Sequence, residues 1–199
     1  AGIGELAEKM ADVYFGIPKD VRNKGLKITV STSILVPKPF TPFQWAPMAR
    51  PEIVDERIKA VRGAIKSRSI VYNYHEQETS FMEAVFARGD RRTCDVLIKA
   101  FEKGAKFDGW SEYFNMEIWN EAMEECNLDS EFYVYREREY DEILPWDFID
   151  IGVNRKYMER ENEKAKKAEL TKNCLEGCTG CGINVNFKEG KCFEGAIRN

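Results

Sequence analysis

Only two stretches of this 199-residue chain read as β-strand, and that scarcity limits its fold more than any other feature. The first, LKITVSTSILV, is rich in β-branched residues and alternates over 26–35. Leu26, Ile28, Val30, Thr32 and Ile34 point one way; Lys27, Thr29, Ser31 and Ser33 point the other. The second, SIVYNYH, covers 69–75. Between them VPKPFTPFQWAP carries four prolines, which exclude a regular element. A helix over 51–66 follows, with Pro51 at its first position and Ile53, Val54, Ile58, Val61 and Ile65 repeating at helical spacing. Another helix, over 3–16, precedes the first strand. It places Ile3, Leu6, Ala7, Met10 and Tyr14 on one face and ends at Gly16 and Pro18. Helix, strand, helix, strand is α/β grammar. Two strands alone do not make a stable parallel sheet covered on both faces. Further strands are therefore expected in another chain or upstream of Ala1. The missing initiator Met points the same way, to a processed chain or an excised piece. The Lys27, Thr29, Ser31, Ser33 face suits either solvent or the lumen of a barrel that binds something polar.

After the second strand the pattern is helical. Ser80 and Glu83 read as a capping box for a helix closed by Gly89. Asp90 caps the next helix, whose apolar face is Cys94, Leu97, Ile98 and Phe101 and which Gly104 ends. A third carries Met116, Trp119, Met123 and Cys126, and a last one, over 154–168, is mostly charge. Hydrophobic residues at 43% and charged residues at 32% permit a packed core and argue against global disorder. A net charge of −4 gives no overall basic character for nucleic acid. No apolar run approaches a membrane span, and the N-terminus has no secretion signal. A cytoplasmic protein without a disulfide framework is the expectation.

Six cysteines are present, and four crowd the end of the chain: Cys174, Cys178, Cys181 and Cys192. The segment NCLEGCTGCG spaces three of them Cys-x3-Cys-x2-Cys among glycines. Thiolates so close in sequence can converge on one soft ion or an iron–sulfur cluster with little loop strain. Spacing leaves zinc and iron–sulfur both open, with a reduced or disulfide-bonded tail as the plain alternative. Neighbouring Lys172 and Lys191 favour thiolate over thiol.

Other candidates are dispersed. In ARGDRR, Arg88, Asp90, Arg91 and Arg92 surround a helix–helix junction where N–H groups and guanidinium forks could hold a phosphate or carboxylate. Cap and ion-pair roles explain the same residues. His75, the single histidine, ends the second strand on the side of Asn73. A group at the C-terminal end of a barrel strand would face an active site. Lys38 in the proline segment could meet a substrate anion or stay solvated. The aromatics between Trp110 and Tyr140 read as core rather than base-stacking residues. Arg155, Lys156, Arg160, Lys164, Lys166 and Lys167 alternate with Glu159, Glu161 and Glu163, the pattern of a solvated helix rather than an RNA contact.

VSTSILVPKPFTPFQWAPM, ARGDRR, KFDGWSEYFNMEIWNEAM and LPWDFIDIGVNRKYMERE resemble the later half of a group of radical S-adenosylmethionine proteins. Members usually carry an upstream cobalamin-binding-like domain and are distantly related to methylthiotransferases. The resemblance covers roughly residues 1–184. It implies the last strands and helices of a partial (β/α)6 barrel over 1–78, a helical region over 79–170 and a Cys-rich tail over 171–199. It implies that the catalytic [4Fe–4S] ligands and the S-adenosylmethionine contacts lie upstream of this chain, since the family's motif follows the first barrel strand. There the cluster cleaves S-adenosylmethionine reductively to a 5′-deoxyadenosyl radical. This portion then closes the barrel and places a small-molecule, RNA or protein substrate; Ser33, Lys38, Asn73, His75, Arg88, Asp90 and Arg91 are its candidates. The resemblance also implies an auxiliary iron–sulfur or zinc centre at the tail. The family's fourth cysteine position is Asn184 here, and Cys192 is the nearest replacement. The rival reading is a non-catalytic metal-binding interaction module, with RNA contact as one variant.

Overall fold

The computed structural model describes residues 2–23 and 25–187. Strands β1 (Ile28–Thr32) and β2 (Ile70–Tyr74) pair in parallel, in register from Ile28 opposite Ile70 to Thr32 opposite Tyr74. The His75 N–H continues the ladder to the Thr32 carbonyl at 3.2 Å. The expected adjacency and direction are therefore observed, with helix α2 (Pro51–Ala64) between the strands in sequence. No further strand is present among the described residues.

Helix α1 (Gly2–Gly16) covers one face of this sheet through its small residues. Ala7 and Ala11 are buried with Val30 and Ile70, flanked by Ile28, Ile65 and Tyr72. Gly4 sets the distance to α2: a Cβ there would lie 2.7 Å from the Val61 carbonyl oxygen and 2.8 Å from the Ala64 Cβ. Of the face that apolar periodicity predicts, Ile3, Leu6, Ala7, Met10 and Tyr14, Ala7 is buried but Ile3, Leu6 and Met10 are more than half exposed. The reason is steric, because two helices in such close contact accept only small side chains at the seam. Beside this contact α2 does not fully close on the sheet. A cavity of about 490 Å³ remains, walled by Thr32, Tyr72 and Tyr74 on one side and Val54, Arg57 and Val61 on the other.

A second core gathers helices α3 (Gln77–Arg88), α4 (Thr93–Glu102), α5 (Met116–Glu125) and α6 (Ser130–Val134) around Met82, Val85, Val96, Trp119, Met123 and Val134. α3 begins before the expected capping box. Ser80 lies inside the helix and donates its hydroxyl to the Glu76 carbonyl at 2.9 Å. Gly89 ends α3 without a left-handed turn; its value is space, since a Cβ would lie 2.6 Å from the Val85 oxygen. α4 repeats the displacement seen in α1. Its buried residues are Thr93, Val96 and Ala100, whereas Cys94, Leu97, Ile98 and Phe101 are exposed. Asn115 and Asp129 cap α5 and α6 by accepting the N–H groups of Glu117 and Phe132.

The proline segment is a structural hub. Val36 and Met48 enter the second core, so the chain before residue 78 and the helices after it share one apolar interior. Trp45, 1% exposed, anchors a third cluster with Leu144, Trp146 and Met158. Met158 belongs to α7 (Arg155–Lys166), whose charge pattern predicts a solvated helix but which packs one face inward. Asn162 on the same face is buried and donates to the Pro42 carbonyl at 2.6 Å. Gln44 links the pieces: its Oε1 accepts from the Trp146 Nε1–H at 2.7 Å and the Phe40 N–H at 3.0 Å. No helix among the described residues is long and apolar enough to cross a membrane.

Candidate functional site

The alternation of β1 and β2 divides the sheet into two chemical faces. Ile28, Val30, Ile70 and Tyr72 turn toward α1. Thr29, Ser31, Val71 and Asn73 occupy the opposite face and are exposed, as are Lys27, Ser33 and His75 at the strand ends. In the parallel register Ser31 stands beside Asn73, so one mostly polar strip collects the candidates from both strands. Ser33 and His75 sit at its C-terminal end, where a barrel places substrate. Lys38 is elsewhere, paired with the Glu83 carboxylate at the start of the proline segment.

The ARGDRR candidates separate into different tasks. Arg88 is completely buried. Its Nε donates to the Tyr133 carbonyl at 2.7 Å, its Nη1 to the carbonyls of Ala46 at 2.8 Å and Gln44 at 3.3 Å, and its Nη2 to that of Arg136 at 3.0 Å. The guanidinium fork is thus spent on the backbone of two segments and faces no ligand. Burial depresses its pKa. Arg138 reinforces it by donating to the Arg88 carbonyl at 2.6 Å and stacking on Trp146. Arg91 is exposed.

Asp90 does not cap α4 at the N-cap position, which is Arg92. It fixes the turn that enters the helix. Its carboxylate accepts from the Arg92 N–H at 2.9 Å, from the Arg92 guanidinium, and from the Tyr133 hydroxyl at 2.9 Å. The Arg92 side chain, followed by its N–H and Tyr133, holds the Asp90 pKa well below the usual carboxylate range, against the opposing effect of burial. A depressed pKa means stability that is complete above about pH 4, the unfolded value, and is lost as pH falls through the folded value. Asp90→Asn should therefore cost about 1–2 kcal/mol at neutral pH. The gap to wild type should shrink in acid, as urea unfolding across the pH range would record. A gap that is constant down to strong acid would refute this role for the carboxylate.

The cysteine loop is docked rather than free. After α7 the chain turns back along that helix. Lys164 donates to the Thr171 hydroxyl at 2.8 Å, and that hydroxyl donates to Glu161. Arg160 Nη2 donates to the Thr179 carbonyl at 2.6 Å, and the Asn154 N–H donates to the Cys181 carbonyl at 2.8 Å. A short helix, α8 (Ile183–Asn186), then closes on the loop before α7 through Asn186 Nδ2, 2.8 Å from the Gly152 carbonyl. Gly182 at φ 102 and Gly152 at φ 76 make this possible. A Cβ on Gly182 would meet the Asn154 side chain at 2.7 Å, and one on Gly152 would meet the Phe187 ring.

Cys174 and Cys178 are exposed and Cys181 is half-buried. The expectation that they converge on one centre is not met by this loop conformation. Among the described residues no three His, Cys, Asp or Glu side chains come together as an ion would require. The protein contacts fix the two ends of the loop, and none draws the sulfurs toward each other. Cys192, the expected fourth ligand, lies outside the described residues. The donor set still fits a thiophilic metal by its chemistry: three thiols on one glycine-rich loop, beside Arg160 and Lys164. Sequence reasoning missed Gly152, Asn154 and Arg160 as partners of this loop. Gly152 and Asn154, separated by one residue in IGVNRK, were the available signal.

No family model, no curated protein and no solved structure matches this chain.

Proposed function

We propose that this chain is the later portion of a cytoplasmic radical S-adenosylmethionine enzyme, closing its barrel and placing the substrate, with the tail thiols as ligands of an auxiliary iron–sulfur or zinc centre. One observation carries the reading: a parallel strand pair with an apolar face covered by α1 and a mostly polar face left bare. Parallel sheets occur with both faces covered and with more than two strands. A bare strip of Lys27, Thr29, Ser31, Ser33, Asn73 and His75 is the inward face of such a sheet when its lumen holds polar molecules. On this reading the upstream iron–sulfur cluster supplies reductive cleavage of S-adenosylmethionine. The residues here do the placing. The His75 imidazole nitrogens offer hydrogen-bonding groups, Asn73 offers a donor and an acceptor from its amide, and the Ser33 hydroxyl rotates to suit. Arg88 and Asp90 support the fold that carries them.

The test is anaerobic and uses dithionite as reductant. The full-length protein should form 5′-deoxyadenosine from S-adenosylmethionine, whereas the 199-residue chain alone should form none. In the full-length protein, His75→Ala and Asn73→Ala should keep S-adenosylmethionine cleavage but uncouple it from substrate conversion. 5′-Deoxyadenosine from the chain alone would make Cys174, Cys178 and Cys181 the catalytic cluster and overturn the assignment. A full-length protein without cleavage activity would remove the reading altogether.

A further inference from the structure

We infer that Arg160 is the positioning residue of the cysteine loop, and that α7 is a platform which holds both ends of that loop so that its thiols can be gathered. The inference rests on the reading of Cys174, Cys178 and Cys181 as metal ligands. It concerns residues that are not ligands themselves.

Lys164 lies four residues after Arg160 and three after Glu161, so it neighbours both on the surface of α7. By charge alternation this side reads as a solvated surface. In the fold it grips the returning chain at two points. Upstream of the cysteines, Thr171 is held by Lys164 and Glu161. Between Cys178 and Cys181, the Thr179 carbonyl is held by Arg160. The Arg160 guanidinium is itself steadied over the Tyr157 ring, 5.1 Å from its centroid.

Fixing both ends changes what it costs to gather three thiols. A free tail must lose the entropy of closing a loop before any sulfur–metal bond forms. A tail already anchored at Thr171 and Thr179 has lost much of it on folding. Between the anchors the chain makes a local turn, with the Glu176 N–H donating to the Asn173 carbonyl at 3.0 Å, and Cys174 and Cys178 are exposed. Charge adds little to this: Arg160 and Lys164 both face the Glu161 carboxylate, at 3.7 and 3.4 Å, which offsets their attraction for bound thiolates.

The test separates this inference from the metal reading. Arg160→Leu, Arg160→Lys and Thr171→Val would be made in the whole chain, with helix content followed by circular dichroism. Two quantities are read in each: the alkylation rate of Cys178 and Cys181 in metal-free protein, and the affinity for zinc alone in competition with a chelator. Arg160→Leu is expected to speed alkylation of Cys181 and weaken zinc binding, each by about fivefold, as loss of one partly exposed charge-assisted hydrogen bond implies. Arg160→Lys should recover most of both. Thr171→Val should shift zinc affinity in the same direction, by release of the other anchor. Wild-type rates and affinity in both Arg160→Leu and Thr171→Val would overturn the inference. Faster alkylation in a protein whose wild type takes up no zinc or iron would support the platform and sink the metal reading.

Discussion

Arg88→Met should lower the unfolding free energy by about 4 kcal/mol, a large share of the 5–15 kcal/mol typical of a folded domain. Methionine fills most of the same volume, so the loss is polar rather than steric. It strands the carbonyls of Gln44, Ala46, Tyr133 and Arg136, which now share one guanidinium. A buried acceptor left without a donor costs about 1–3 kcal/mol. Relaxation and the removal of a buried charge recover part of that sum. Arg88→Lys should be nearly as damaging, because one ammonium cannot span carbonyls that the fork reaches from three nitrogens. Urea unfolding measures both. A midpoint for Arg88→Met close to wild type would mean that the 44–46 and 133–136 segments hold together without it.

How much of this was legible in the sequence follows from the kind of contact involved. The strand pair was legible: its β-branched alternation and the intervening helix are local patterns with one common outcome. The polar strip was legible for the same reason, since a period of two fixes which residues share a face. Helix positions were also legible, but not which way they turn. In α1 and α4 hydrophobicity selected Ile3, Leu6, Met10, Leu97, Ile98 and Phe101, which are exposed, and of its α1 face only Ala7 is buried; packing also selected Gly4, Ala11, Val96 and Ala100. Close helix contact rewards small side chains, and no transfer scale records that preference. For Arg88 the sequence leaves an anion site and a structural role both open, for a related reason. ARGDRR suggests an anion site, but an arginine's destination depends on carbonyls more than forty residues away in sequence. The docking of the cysteine loop was hidden in α7, where Met158 and Asn162 are buried in an otherwise charged segment. The large apolar groups left outside, Ile3, Leu6 and Met10 beside the sheet, agree with the proposal that this portion packs against more protein.

Cys178→Ser should abolish metal binding while leaving the fold intact. Cys178 stands between Cys174 and Cys181, so its loss leaves two thiols on the loop, fewer than the three or four protein ligands that hold such an ion. Serine is nearly isosteric but titrates far too high to replace a thiolate. The fold should not notice, because Cys178 is exposed and an exposed substitution usually changes stability by about 0.5 kcal/mol or less. Anaerobically purified wild type should carry about one metal centre per chain, brown if iron–sulfur and colourless if zinc; Cys178→Ser should carry none, with unchanged circular dichroism. Binding should also fail as pH falls, because each ligand must lose a proton before it coordinates. Gathering the sulfurs requires the loop to leave the conformation described here. Metal addition should therefore protect Cys174 and Cys178 from alkylation, while the Arg160 and Asn154 anchors persist. Undiminished metal in Cys178→Ser, or three equally reactive thiols in a metal-free wild type purified without oxygen, would end the case for a centre at this loop.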